Sequence, residues 1–201
     1  MVAPGRVAGL LLAAGAGLRL GQPKALVRDG DGTTFVERAV GALVAAGADP
    51  VVVVVGAEAD RVTSLAPAGC VIVEAGDWTE GMGASLRAGL AELTLDHTCK
   101  AVVLMLVDTP GIGADVVRRL ANGADATTLA RATYDGVPGH PVVIGRDHWH
   151  GVLDVAAGDR GARDYLQSRD VALVECRDIG SGDDLDTLAA LGEWRRMGDS
   201  G

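Results

Sequence analysis

The chain has 201 residues, close to the size of one domain and long enough to bury a full hydrophobic core. Its 27 acidic residues outnumber its 18 basic residues, and the formal net charge of −9 argues against sequence-independent binding of nucleic acid. Hydrophobic residues make up 48% of the chain with only three Trp, two Tyr and one Phe, so Val, Leu and Ala must form most of the core.

The cysteines and the terminal segment bear on the cellular compartment. Cys70, Cys99 and Cys176 are far apart and form no C-x-x-C pair, so we expect neither a disulfide framework nor a zinc site. Residues 1–6 are too few for a signal peptide, and no apolar run approaches the roughly 18 residues of a membrane helix. We therefore expect a cytoplasmic protein that binds no membrane.

The first predicted strand, residues 7–12, passes directly into a glycine-rich loop. A short apolar run closed by glycines is typical of a strand buried on both faces of a sheet. Gly15 and Gly17 allow a tight turn and the close approach of a ligand, because neither has a Cβ. Backbone N–H groups in such a loop can bind phosphate oxygens, while Arg19 and Lys24 can neutralise their charge. The loop is therefore a candidate polyphosphate site.

Two common phosphate-binding motifs do not fit this loop. The dinucleotide fingerprint G-x-G-x-x-G would need a glycine where Leu20 stands, and Gly21 comes one place late. A Walker A loop would need Gly-Lys-Ser or Gly-Lys-Thr, which the chain lacks. The loop instead resembles the L-A-x-G-x-x-x-R-x-G-x-x-K signature of nucleotidyltransferases that bind NTPs; the alternative is an ordinary Gly/Ala turn. The matching residues are Leu12, Ala13, Gly15, Arg19, Gly21 and Lys24.

The segments after the loop predict elements that pack rather than bind. Thr34 and Glu37 form a capping box that predicts a helix start, and Gly47 predicts its end. An unbroken apolar run then favours a central parallel strand. The elements predicted here after the first helix are a strand at 51–55, a helix at 58–65 and a strand at 70–73.

A second glycine-rich segment, residues 74–83, precedes a predicted helix that ends near Leu93. From Gly81 onward the sequence resembles the G-M-x-x-S-L-x-x-G motif that a subset of these transferases carries. A helix N-terminus offers free N–H groups and a positive dipole end to a nucleotide. Gly81 and Ser85 are thus candidate nucleotide contacts, although a loop that only caps the helix would also explain Ser85.

Residues 101–107 predict a fourth buried strand, and Asp108 follows it directly. Ligands of open α/β sheets bind outside the carboxyl ends of the strands. Mg²⁺ prefers oxygen ligands and is commonly held by one or two carboxylates together with substrate phosphates. Asp108 is therefore the principal candidate magnesium ligand; the alternative role is the N-cap of a predicted helix at 112–121.

After residue 126 the alternation of strands and helices gives way to two strands joined by a turn. We expect this part to be an insertion at the sheet edge that forms the side of the site for the acceptor, the second substrate. Its predicted parts are a strand at 127–132, a turn at 135–139 and a strand at 141–144.

Two motifs in this second half narrow the resemblance. Gly139-His140-Pro141 matches G-H-P, and residues 158–163 match G-D-x-G-A-R. Together with the first loop they resemble the molybdenum cofactor cytidylyltransferase (MocA-like) branch of the MobA-like NTP transferases. This resemblance implies that His140, Asp159 and Arg163 contact the acceptor.

The end of the chain predicts a strand at 171–175 and a helix at 188–196. Between them, Leu185-Asp186-Thr187 resembles the first part of the I-D-T-P-E-D motif of these transferases. Asp186 is therefore a candidate second metal ligand, although Asp183 and Asp184 could take that role or cap a helix.

Alternating strands and helices predict an α/β fold, a mostly parallel sheet with helices on both faces. The resemblance implies the Rossmann-like nucleotidyltransferase version, with one antiparallel edge contributed by the insertion. We expect a single domain over 1–201, with a nucleotide-binding half at 7–125 and an acceptor-binding half at 126–192.

The resemblance also implies a reaction, the transfer of CMP from CTP to the terminal phosphate of molybdopterin or its molybdenum-bearing form, with Mg²⁺ as cofactor. A molybdoenzyme or its maturation factor is a candidate partner. Arg19, Lys24 and Asp108 would be catalytic. The implied nucleotide contacts are Leu12, Ala13, Ala14, Gly15, Ala16, Gly17, Arg19, Lys24, Gly81 and Ser85. The alternatives are a GTP-using MobA-type enzyme, a sugar- or alditol-phosphate transferase, and a non-catalytic molybdopterin chaperone.

Overall fold

A computed structural model describes residues 5–198, without the side chains at positions 188, 195 and 197. The expectation that no signal peptide precedes the first strand concerns residues 1–6, of which 1–4 lie outside the described residues. Within residues 5–198, no helix combines the length and the hydrophobicity needed to span a bilayer.

One sheet and the helices that pack on it make up residues 5–198. The strands are β1 (Arg6–Leu12), β2 (Val51–Val55), β3 (Val71–Glu74), β4 (Cys99–Leu106), β5 (Leu129–Tyr134), β6 (Val137–Gly145) and β7 (Ala172–Glu175). The helices are α1 (Phe35–Ala45), α2 (Ala59–Leu65), α3 (Met82–Thr94), α4 (Ala114–Ala121), α5 (Arg146–Val155), α6 (Arg163–Gln167) and α7 (Leu188–Gly198). Short 3₁₀ turns occur at Lys24–Leu26, Trp78–Glu80 and Gly158–Arg160.

The strand order in the sheet is β3-β2-β1-β4-β6-β5-β7. Strands β1 to β4 pair in parallel, as do β5 and β7, whereas β6 runs antiparallel to both of its neighbours. This mostly parallel sheet confirms the predicted α/β fold. Because β1 and β4 are adjacent, the segments that follow them meet at one edge of the sheet.

Two hydrophobic layers cover the sheet, one on each face. Successive side chains of a strand point to opposite faces, so Leu11 joins the layer under α1 and α4, while Leu10 and Leu12 join the layer under α3, α5 and α6. The capping box at the start of α1 is present as predicted, since Thr34 accepts a hydrogen bond from the Glu37 N–H and Glu37 accepts one from the Thr34 N–H.

The insertion differs from the prediction in two respects. Its antiparallel strand, β6, lies inside the sheet between β4 and β5, so the expectation of an antiparallel edge strand was wrong and β7 forms that edge. The predicted turn at 135–139 is also too long, because Asp135 and Gly136 alone make the turn, with φ of 54° and 78°. Positive φ at two successive residues is the conformation that suits a tight hairpin. Strand β6 therefore begins at Val137 and extends beside the end of β4.

Candidate active site

A cavity of about 510 Å³ opens at the carboxyl ends of β1 and β4. It collects segments that are far apart in the sequence: the glycine-rich loop, the start of α3, the end of β4 and two later acidic residues. The predicted residues that line it are Leu12, Ala14, Gly15, Ala16, Gly17, Arg19, Lys24, Gly81, Ser85, Asp108, Asp159 and Asp186. Ala13 does not line the cavity, because its side chain is buried in the core beneath the loop.

The glycine-rich loop owes its shape to Gly17. This residue has φ of 61°, and a Cβ placed on it would lie 1.9 Å from the backbone oxygen of Gln22. The Leu20 N–H donates to the Gly17 carbonyl at 2.9 Å and closes the turn. At Gly15, by contrast, no heavy atom outside residues 14–16 lies within 4 Å of the position that a Cβ would occupy. The backbone at Gly15 thus faces open space, where a ligand can approach it closely.

Lys24 connects the loop to the acidic side of the cavity. Its Nζ donates to Asp108 Oδ2 at 2.6 Å and also to Asp186 Oδ1. Burial lowers the pKa of Lys24, but the hydrogen bonds and the charges of Asp108 and Asp186 outweigh it, so the net pKa is raised. The ammonium group is therefore charged at neutral pH and neutralises part of the carboxylate charge. Arg19, more exposed, donates to Asp186 Oδ2 at 3.2 Å.

Leu185 explains how Asp186 comes to lie beside Asp108. Its N–H donates to the Asp108 carbonyl at 3.0 Å, and its side chain is buried in the core. This anchor fixes the acidic segment along the end of β4. The hydrogen bond from Lys24 and that cation's charge lower the pKa of Asp186, which therefore stays ionised.

Asp183 and Asp184 are placed differently from Asp186. The Asp183 carboxylate accepts a hydrogen bond from the Ser181 hydroxyl and so closes its own turn. Asp184 does not line the cavity, and desolvation together with the negative charges of Asp108 and Asp186 raises its pKa to about 6. Of the three later carboxylates, Asp186 is the one that bonds to Lys24 and lines the cavity.

The acidic side of the cavity fits a divalent cation in one specific respect. Asp108 Oδ1 is buried and has no hydrogen-bond partner, which leaves a carboxylate oxygen ready to accept a ligand. In the described part of the chain, no group of three or more His, Cys, Asp or Glu side chains could hold a metal by itself. A cation bound by Asp108 and Asp186 would therefore need further oxygens, such as those of water and substrate phosphates.

The start of α3 and the segment around Asp159 form the opposite wall. Gly81 has φ of 108°, and a Cβ there would lie 2.5 Å from Asp159 Oδ1. A Cβ on Gly83 would lie 2.7 Å from the backbone of Ala157. The G-M-x-x-S-L-x-x-G segment thus packs directly against the segment that carries the G-D-x-G-A-R motif. Both glycines are needed for this close approach. Ser85, 5% exposed, lies one turn into α3 on the cavity wall.

His140 and Arg163, the other two expected acceptor contacts, do not line this cavity. His140 is half-buried on β6, and its carbonyl accepts a hydrogen bond from the Tyr134 hydroxyl at 2.8 Å. Burial, followed by the positive charge of Arg131, lowers the pKa of His140 to about 4, although the negative charge of Asp108 acts in the opposite direction. Arg163 begins α6 and is exposed. His140 lies on β6, the neighbour of β4 on the side away from β1.

Sequence reasoning left out several residues that the structure brings to the cavity. The apolar contribution comes from Leu18, Trp78, Met82 and Leu106. Leu18 is 89% exposed at the tip of the loop. Trp78 packs against Gly56, where a Cβ would lie 2.6 Å from its ring. A tryptophan between an acidic residue and a glycine-rich helix start was a visible signal, because so large a side chain is rarely left in a loop without a partner.

Comparisons with known proteins identify the family of this chain. The MobA-like NTP transferase domain family matches residues 9–173. Nicotine blue oxidoreductase of Paenarthrobacter nicotinovorans is 37% identical in an alignment of 198 residues, and the match covers 92% of this chain and 94% of that protein.

Solved structures from mycobacteria share the whole fold. Rv0371c of Mycobacterium tuberculosis H37Rv is 27% identical with a TM-score of 0.84, covering 97% of this chain and 100% of its own. Its homologue from Mycobacterium sp. strain JC1 is 32% identical with a TM-score of 0.74, covering 96% and 98%. A manganese complex of Rv0371c is 26% identical with a TM-score of 0.77, covering 98% and 100%.

The family match spans most of the chain, and the loop, Lys24 and Asp108 all lie within it. It confirms the recognition made from the sequence motifs. The chain belongs to the MobA-like NTP transferase domain family and has the fold of a nucleotidyltransferase.

Proposed function

We propose that the protein transfers CMP from CTP to the terminal phosphate of molybdopterin or its molybdenum-bearing form and releases pyrophosphate. The observation that carries this proposal is that Gly15, Lys24, Asp108 and Asp186 line one cavity. A polyphosphate and a divalent cation need such a combination of free N–H groups, a cation and paired carboxylates. The expected cytoplasmic location belongs to the same proposal.

The glycine-rich loop would hold the triphosphate. Backbone N–H groups from Gly15 to Gly17 donate to its oxygens, and Arg19 and Lys24 offset their charge. Both cations contact Asp186. Binding of CTP would therefore require Lys24 to exchange at least one carboxylate for a phosphate oxygen.

Asp108 and Asp186 would hold the magnesium ion, together with phosphate oxygens. When bound, the cation supplies Lewis-acid stabilisation and a template that orients the reacting groups. The unpartnered Oδ1 of Asp108 supports this role. The manganese complex of Rv0371c makes a divalent metal in this fold a reasonable expectation.

The reaction needs positioning more than covalent help from the protein. An oxygen of the acceptor phosphate forms a bond to the α-phosphorus of CTP, and the bond from that phosphorus to the pyrophosphate oxygen breaks. No catalytic base is required, because a phosphate monoester is already ionised at neutral pH. The chain's contribution is to align the two phosphates and to neutralise the charge that would keep them apart.

The nucleotide and the acceptor rest on resemblance. GTP-using relatives carry glycine at the position of Ala14, and the methyl group of Ala14 lies at the cavity wall. The G-H-P and G-D-x-G-A-R motifs favour molybdopterin over a sugar or alditol phosphate. A pterin-binding chaperone without catalysis would not need the Lys24 and Asp108 pair.

A second candidate function comes from the relative named nicotine blue oxidoreductase, whose identity with this chain is 37%. Its name describes an oxidation or reduction of nicotine blue rather than the transfer of a nucleotide. Leu18, Trp78 and Met82 give the cavity an apolar side that suits a planar heterocycle. Reduction of a heteroaromatic compound is therefore the second candidate function.

One experiment separates the two functions. Purified protein with Mg²⁺ is incubated with CTP, GTP, ATP or UTP and molybdopterin, and pyrophosphate release is measured. A parallel arm follows oxidation of NADH or NADPH with nicotine blue. Pyrophosphate release with CTP and molybdopterin is the expected result. Reduction of nicotine blue without pyrophosphate release from any nucleotide would overturn the proposal.

A further inference from the structure

Arg87 lies in the second turn of α3 and does not line the cavity. Residues four apart lie on the same side of a helix, and Gly83, four residues earlier, lies close to the backbone of Ala157. Arg87 faces the same segment, since its Nη1 donates to the Ala156 carbonyl at 2.7 Å. A hydrogen bond from a charged donor is stronger than one between neutral groups. Arg87 thus anchors the chain that follows α5 against α3.

The other terminal nitrogen of Arg87 holds the 3₁₀ turn that precedes α3. Nη2 donates to Asp77 Oδ2 and to Glu80 Oε2, each at 3.1 Å. These two carboxylates flank Trp78 in the sequence, whereas the Trp78 ring packs against Gly56 and lines the cavity. Arg87 therefore holds the turn through its charged residues, while the turn presents its aromatic residue to the cavity.

A single guanidinium group thus connects two segments of the cavity wall. One segment carries Trp78 and Thr79, and the other leads from Ala156 to Asp159. The two segments meet at the start of α3, where Gly81 lies against Asp159. The wall therefore includes Gly81, an expected nucleotide contact.

The bonds of Arg87 matter more for the geometry of this wall than for folding stability. Asp77 and Glu80 are exposed, and exposed ion pairs contribute little to the free energy of unfolding. The planar guanidinium, however, presents its donors in a fixed arrangement, so it sets the separation of the segments that it joins. Without this connection the two segments could move independently. A substrate would then have to order them when it binds, which lowers its affinity.

We propose that Arg87 is a positioning residue that holds the wall between Trp78 and Asp159 in the arrangement that binds the nucleotide. It acts through these two residues and does not contact the substrate itself. The inference rests on the proposed nucleotidyl transfer, and it assigns a function to a side chain outside the cavity. Lysine could not take this role, because one ammonium group lacks the planar fork that reaches both segments.

Calorimetric titration measures the effect on binding. The intact protein is titrated with α,β-methylene-CTP in the presence of Mg²⁺, since this analogue binds without turnover. Arg87→Ala should weaken its binding about 5- to 20-fold, because the ligand must then order the wall. Arg87→Lys keeps the charge but loses the fork, so it should recover only part of the affinity.

The fluorine resonances of protein labelled with 5-fluorotryptophan report on the wall directly. The chain has three tryptophans, Trp78, Trp149 and Trp194, and Trp78→Phe identifies the resonance of residue 78. We expect this resonance to shift or broaden in Arg87→Ala. The resonances of Trp149 and Trp194 should not change, because neither residue belongs to the two segments that Arg87 joins.

Arg119→Ala is the matched control. Arg119 on α4 also donates to a backbone carbonyl, that of Glu175 at 2.9 Å, and to a carboxylate, that of Asp178. Its side chain is 36% exposed, and that of Arg87 is 32% exposed. Glu175 and Asp178 do not line the cavity. This variant loses bonds of the same kind, yet it should bind the analogue like the unchanged protein and leave the Trp78 resonance in place.

Three results would overturn the inference: an unchanged affinity for the analogue in Arg87→Ala, an equal loss of affinity in Arg119→Ala, or an unmoved Trp78 resonance in Arg87→Ala. Failure of the unchanged protein to bind the analogue is a different result. Combined with a Trp78 resonance that moves in Arg87→Ala and not in Arg119→Ala, it would contradict the proposed function and support Arg87 as the residue that orders the wall.

Discussion

The Nζ of Lys24 lies 2.6 Å from Oδ2 of Asp108, although 84 residues separate them in the chain. Their contact joins the loop after β1 to the end of β4, two segments that adjacent parallel strands bring to one edge of the sheet. The same lysine bonds to Asp186. Lys24 thus lies between the two carboxylates proposed to hold the metal.

Replacement of Lys24 tests both of its contacts. Lys24→Ala should lower CTP turnover by about 100- to 1,000-fold, because a cation aimed at the phosphates is lost. It should also strengthen the binding of Mn²⁺ in the absence of nucleotide, since the ammonium group no longer competes for Asp108 and Asp186. Turnover assays and Mn²⁺ titration by electron paramagnetic resonance measure the two effects.

Lys100→Ala is the matched control, because Lys100 is the other lysine of the chain and is exposed. It should change neither turnover nor Mn²⁺ binding. Unchanged turnover in Lys24→Ala would remove the phosphate-loop interpretation.

The choice of metal ligands is tested by neutral amide variants. Asp108→Asn and Asp186→Asn should each weaken Mn²⁺ binding in the presence of CTP by about 10-fold or more, since loss of an outer partner alone often costs that much. Asp183→Asn should have a small effect, because its carboxylate bonds to Ser181. A larger loss of Mn²⁺ affinity in Asp183→Asn than in Asp186→Asn would show that Asp183, and not Asp186, is the second metal ligand.

The shape of the glycine-rich loop depends on Gly17. Gly17→Ala would force alanine to adopt φ of 61° and push its Cβ against the Gln22 carbonyl. The left-handed conformation alone costs roughly 1–2 kcal/mol, so the loop should rearrange and CTP affinity should fall about 10-fold or more. Gly41→Ala in α1 provides the control, because beyond the adjacent residues and the backbone of α1 itself no heavy atom lies within 4 Å of the added Cβ. Equal CTP affinity in the two variants would contradict this explanation.

The stability of the protein should depend on the titration of His140. The folded state lowers its pKa from 6.5 to about 4, through burial and the positive charge of Arg131 and Arg163. The unfolded chain therefore binds this proton at higher pH than the folded chain. The free energy of unfolding therefore has its full value, as far as His140 is concerned, above about pH 6.5. It decreases as the pH falls towards 4, because the unfolded chain then takes up the proton more readily than the folded chain.

Denaturant unfolding at several pH values measures this effect. His140→Asn should lose less stability between pH 6.5 and pH 4 than the unchanged protein does. Nuclear magnetic resonance titration of the imidazole should show a midpoint near pH 4. A midpoint near 6.5 would show that the ring is solvated rather than buried.

Much of the fold and of the nucleotide side of the site could be predicted from local pattern. The apolar runs of β1, β2 and β4 are unbroken because both faces of these strands are covered, and Asp108 follows β4 directly. The capping box at Thr34 and the left-handed Gly47 are likewise local signals. Whether Gly15, Lys24 and Asp108 would meet then depended only on β1 and β4 being neighbours.

The second half of the chain, which we propose binds the acceptor, was harder to predict because its geometry depends on long-range pairing. The Asp135-Gly136 dipeptide is a recognised signal for a two-residue hairpin, but Pro138 and Gly139 made the start of β6 resemble a turn. The position of β6 inside the sheet depends on its pairing with β4, which leaves no local signature.

Calorimetric titration of CTP and GTP in the presence of Mg²⁺ tests the central claim most directly. We expect CTP to bind more tightly than GTP, with binding reduced in Lys24→Ala and unchanged in Lys100→Ala. A preference for GTP would move the protein to the guanylyl-transferring branch. Binding of neither nucleotide would contradict the account of the cavity as a nucleotide site.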